Sequence, residues 1–164
     1  MADCDCESST QSDHPSPGIV RADEFVIRLV RVPGEVDDDG ALRPTSIDRK
    51  DLKRLVDEQP QARACSVDRE AHASTSKILE KATALREPEP SLLSEVWAFR
   101  GSVEKIRALK IDDGSRALCV VDRAEIDDPA HAEFWGGRTG RPDSILRKIR
   151  ADLASLLIRD RRLV

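Results

Sequence analysis

The chain has 164 residues, of which 39% are hydrophobic and 35% charged, and it carries a net charge of −4. This length suits one domain of ordinary size, and the balance excludes a fibrous or low-complexity chain. No run approaches the roughly 18 apolar residues of a spanning helix, so no membrane association is expected.

Aromatics are scarce: three Phe, two Trp and no Tyr. Arg outnumbers Lys heavily among the 27 basic residues, a codon bias that points to a GC-rich, bacterial genome. Residues 1–18 are acidic, rich in Ser, Asp and Pro, and lack any apolar period, so they read as a disordered acidic tail. They contain no basic segment followed by an apolar one, the pattern of a secretory leader, and a cytoplasmic protein is expected. One α+β domain is expected over residues 19–164.

In that domain Phe25–Val32 alternates and is β-branched, which predicts a strand ended by Pro33-Gly34. Asp37–Gly40 is an acidic turn without the remaining ligands of a calcium loop. Thr45-Ser46-Ile47-Asp48 has the spacing of a capping box, predicting a helix to about Glu58. A short strand is expected at Ala64–Val67. A helix is expected from about Ala73 to Leu85, on the spacing of Ile78, Leu79, Ala82 and Leu85. Glu95–Arg100 reads as a strand, and Gly101-Ser102 opens a helix carrying Val103 and Ile106. Leu118–Val121 reads as a buried strand, and His131–Trp135 as a further candidate. Finally, Asp143 or Ser144 caps a C-terminal amphipathic helix with Ile145, Leu146, Ile149, Leu153, Leu156 and Leu157 on one stripe. The expected architecture is a mixed sheet of about four strands with three or four helices.

The four cysteines do not suggest a framework. Cys65 and Cys119 sit in apolar contexts and read as buried thiols. Cys4 and Cys6 lie in the polar tail without the paired spacing of structural zinc. No metal and no cofactor is expected.

Three functional readings follow. Asp122 at a strand end, with His131 and Glu133 on one strand face, could carry out acid–base chemistry. The loop Gly136–Arg141, with Arg138 and Arg141, could hold an anion before a helix N-terminus. Together these describe a small enzyme acting on a nucleotide or phosphorylated substrate. Arg147, Lys148 and Arg150 could instead contact nucleic acid. Against both stand the absence of any established catalytic motif and the acidic overall charge. The leading expectation is therefore a small accessory protein that binds a macromolecular partner, a protein subunit of a larger complex. Its acidic head and basic tail, the Arg-rich surface and an exposed Trp135 would serve as contacts.

Overall fold

The computed structural model describes residues 4–48, 52, 65–86, 94–136 and 141–164. Six strands and three helices are formed among these residues: β1 (Phe25–Val32), β2 (Cys65–Arg69), α1 (Thr75–Arg86), β3 (Glu95–Ser102), α2 (Val103–Arg107), β4 (Leu118–Asp122), β5 (His131–Gly136), α3 (Asp143–Leu156) and β6 (Ile158–Arg162). The strands make one sheet in the order β4-β5-β2-β1-β3-β6. Every pairing is antiparallel. The α+β class is thus observed, while the mixed sheet of about four strands is corrected to six antiparallel ones.

The sheet's alternation divides its residues between two faces. Val26, Val30, Val67, Phe99, Val120 and Phe134 point to one face and join the main core with Leu146, Ile149 and Leu153 of α3. Phe99 is fully buried there. Trp97 lies only half-buried, with the Arg159 guanidinium 3.9 Å over its ring. The opposite face is covered in two places. α1 lies across β1 and β3, burying Ile78 and Ala82. The N-terminal segment covers the other end, where Cys4, Cys6, Cys119, Val121 and Trp135 form a second cluster.

The chain does not end in the predicted helix. α3 stops at Leu156, and β6 follows as the last strand, paired with β3. Pro44–Ser46 forms a 3-10 turn rather than a capped helix start, and most of the predicted helix to Glu58 lies outside the described residues. Ala22-Asp23-Glu24 precedes β1 as a turn.

The acidic segment expected as a disordered tail is placed against the sheet. Residues 4–18 wrap the edge of the sheet at β4. Cys4 is disulfide-bonded to Cys119, across 115 positions of sequence. Glu7 then reaches the open edge of β4, accepting from Val120 N at 2.5 Å and from Arg116 and Arg107 at 2.9 and 3.1 Å. Gln11 N donates to Asp122 O at 3.1 Å. Thr10 and Ser16 donate through their hydroxyls to the Asp122 carboxylate on the far side of the edge. The segment is polar because, Cys4 and Cys6 aside, its partners are the unpaired backbone and buried charges of an edge strand rather than an apolar core. That is why it carries no apolar period.

Arg69 locks the end of this wrap. Its side chain is 1% exposed and donates to Glu24 at 2.6 and 2.8 Å, to Asp122 at 3.1 Å, and to the Gly18 and Ile19 carbonyls. Burial by itself would raise the Glu24 carboxyl, but hydrogen bonds from Arg69 and the Arg21 amide outweigh it and hold the group below its ordinary value. A carboxylate depressed on folding contributes stability above its unfolded value of 4.5. That contribution is lost as pH falls through the lower folded value. Urea denaturation as a function of pH is expected to show this acid loss, with a shallower fall below about pH 4.5 in Glu24→Gln. An identical slope in the variant would refute the assignment.

Candidate functional site

The three residues predicted as an acid–base set are not brought together. Asp122 is registered opposite Ala132, and Glu133 opposite Val121. Directly opposed residues of an antiparallel pair share a face, so Asp122 points to one side of the sheet and His131 and Glu133 to the other. Asp122 is 1% exposed and fully engaged with Arg69, Thr10 and Ser16. It is the anchor of the N-terminal segment.

His131 and Glu133 lie together on the other face, beside residues the sequence did not group with them. β2 places Asp68 opposite His131. The tight turn after β4 places Asp128 beside both, its amide and carbonyl bonded to Glu125. Donor atoms of Asp68, Asp128 and His131 all lie within 4.8 Å of one another, and all three residues are buried. Lys81 reaches down from α1 and pairs with Asp68 at 2.5 Å and with Asp128. Burial pushes the Asp68 carboxyl up, with Lys81 opposing that effect. Burial would lower the Lys81 ammonium, but its bonds to Asp128 and Asp68 outweigh this and raise it. Glu133 accepts from Trp135 Nε1 at 2.6 Å and stands 3.6 Å from His131 Nε2 and 3.8 Å from Arg123 Nε.

A cavity of about 380 Å³ opens beside this cluster, between α1 and the sheet. It exists because β1 and β2 are registered only at Val26–Arg69 and Ile27–Asp68. Beyond that point Arg28 bridges the strands, donating to Ser66 O at 3.1 Å and Cys65 Sγ at 3.3 Å. Ile27 and Leu29 give the cavity an apolar floor, while Arg31, Lys81, Asp68 and Asp128 line it with charge.

The other predicted contacts are dispersed. Trp135 is 3% exposed, packed in the disulfide cluster, and is not a surface anchor. Arg138 lies outside the described residues. Arg141 donates to the Ala117 and Arg116 carbonyls at 2.6 and 2.7 Å, tying the start of α3 to the residues just before β4. Lys148 pairs with Asp112 at 2.7 Å, Arg147 is exposed, and Arg150 is half-buried. Cys119, expected as a free thiol, is bonded to Cys4, whereas Cys65 is a buried free thiol. Burial and the neighbouring Glu7 push the Cys6 thiol up to about 11, so it stays protonated near neutrality.

The sheet's two edges differ. β4 is sealed: side chains and the N-terminal segment reach its outward backbone at Val120 N, Val120 O, Leu118 O and Asp122 O. β6 is exposed at all five residues and pairs only with β3 among the described residues. It carries Arg159, Arg161 and Arg162 against Asp160, and it bulges opposite Ala98 and Phe99.

What fold and sites define is a single-sheet antiparallel α+β protein with a charged cavity on one face and one open basic edge. No protein-family model matches the chain, and no curated protein or solved structure matches it. No helix among the described residues is long and apolar enough to cross a membrane.

Proposed function

We propose that this chain is a small accessory protein whose task is to bind a macromolecular partner, and that the partner is a protein adding an extended acidic segment to β6. The observation that carries this reading is the asymmetry of the edges. An edge strand presents alternate backbone N–H and C=O groups to solvent, a template for strand addition. At β4 those groups are occupied by the chain itself; at β6 no described residue occupies them. The arginines of β6 and its bulge discourage pairing with a second copy, since like charges would meet. They favour a strand bearing Asp or Glu.

The expected setting is cytoplasmic, where reductants oppose the Cys4–Cys119 bond. Partner capture is therefore measured on both oxidised and reduced protein. Immobilised chain should retain one stoichiometric protein from its source lysate, with Arg161→Glu/Arg162→Glu weakening that binding about tenfold or more. Bound partner should protect amides 158–162 from exchange. Equal retention by the double variant, or a monodisperse monomer that retains nothing, would overturn the reading.

The cavity favours a second reading, in which the chain acts on a small phosphorylated or nucleotide ligand. In this reading His131 would act with Asp68, Asp128 and Lys81, which line the cavity with it, instead of Asp122.

A further inference from the structure

We infer that Asp68, Asp128 and His131 form a binding site for a divalent transition-metal ion, which the Lys81 ammonium occupies in the metal's absence. The geometry supplies one imidazole and two carboxylates, with donor atoms within 4.8 Å of one another. This nitrogen–oxygen set suits a borderline divalent cation such as Zn²⁺ better than Mg²⁺ or Ca²⁺, which prefer oxygen alone.

A second observation concerns the His131 ring. The residue is 9% exposed and lines the cavity, yet no hydrogen-bond partner lies within 3.5 Å of its ring among the described residues. The nearest carboxylate oxygens are those of Glu133 at 3.6 Å and Glu125 at 3.8 Å. Both of these contacts fall on Nε2, so Nδ1 has no partner among the described residues and can serve as a ligand atom. Glu133 stands where a carboxylate neighbour would orient a ligating ring.

Charge points the same way. Asp68 and Asp128 are buried carboxylates that share the single charge of Lys81. A divalent ion in its place would balance the two. Lys81 is 26% exposed at its side chain and comes from a helix face, so its flexible stem can swing out to solvent as the ion enters. The three ligands come from β2, a turn and β5, which is why no ligand spacing appears in the sequence.

The test titrates the full-length chain with Zn²⁺ by calorimetry, and with Co²⁺ by visible absorbance. One equivalent should bind. Lys81→Met should bind about tenfold or more tightly, because the competing ammonium is gone. His131→Gln and Asp128→Asn should each bind about tenfold or more weakly, and His131→Gln should lose the Co²⁺ band. Far-UV circular dichroism and a cooperative melt establish that each variant is folded, with Lys81→Gln as the substitute if Lys81→Met is not. Absence of binding in both wild type and the lysine variant would overturn the site. So would unchanged affinity in Asp128→Asn, or a near-ultraviolet thiolate band placing the ion on Cys6 or Cys65.

Discussion

Replacing Arg69 by Met should lower the stability of the protein by about 3–5 kcal/mol, the largest loss expected of any single substitution described above. The reason is the state of its partners. Asp122 is fully buried and the Glu24 side chain is 8% exposed. Met fills much of the arginine's volume but supplies no donor, so two carboxylates remain in a poorly solvated site without their cation. The Gly18 and Ile19 carbonyls lose donors as well. Denaturation in urea should show a lower midpoint. Limited proteolysis should cut residues 4–20 more readily, since the wrap ends on this residue. Combining Arg69→Met with Asp122→Asn should recover part of the loss, because one stranded charge is removed. Asp122→Asn alone retains acceptors for Thr10 and Ser16 and should cost less than Arg69→Met. Equal stability of wild type and Arg69→Met would show that this pairing contributes nothing.

The second large effect belongs to the disulfide. Breaking Cys4–Cys119 should destabilise the chain by about 2–5 kcal/mol, since a cross-link closing so long a loop restricts the unfolded chain strongly. Cys4→Ser/Cys6→Ala tests it cleanly, because Cys119 at 1% exposure would suffer from a hydroxyl of its own. The consequence reaches beyond stability. Once the wrap loosens, the backbone of β4 loses Glu7 and Gln11 and becomes a second open edge. Light scattering should then report concentration-dependent association in the variant or under reductant, and the Cys119 thiol should become reactive to maleimide. A reduced protein that stays monomeric, with Cys119 unreactive, would show that the hydrogen bonds of Glu7, Thr10 and Ser16 hold the segment without the cross-link.

How much of this was legible in the sequence depends on what each element buries. β1, β3, β4 and α3 bury apolar side chains at regular intervals, so pattern reveals them. β6 buries none of its five residues; it is a strand only because β3 offers it a ladder, and Ile158-Arg-Asp-Arg-Arg has no period of its own. Residues 4–18 fail the same way for the same cause, since most of their partners are backbone groups and charges 100 or more positions away. The candidate site was half legible. His131 and Glu133 were found through the period of two along one strand. Asp122, adjacent in the same sheet, shows the limit of that reasoning: register decides the face, and register is a tertiary fact. Asp68, Lys81 and Asp128 are ordinary charged residues in sequence, and only the antiparallel pairing of β2 with β5 sets them around one imidazole.

The wrap at β4 also fixes an order of events during synthesis. Cys4 and Glu7 leave the ribosome well before residues 118–122 exist. At about 5–20 residues per second, the leading segment waits roughly 6–23 s for the strand it will cover. Throughout that interval it has no berth, and Cys4 and Cys6 are both open to other thiols. The closing of this edge therefore cannot begin until β4 has been made, and a bulky fusion placed ahead of Cys4 would have to remain clear of a groove that does not yet exist.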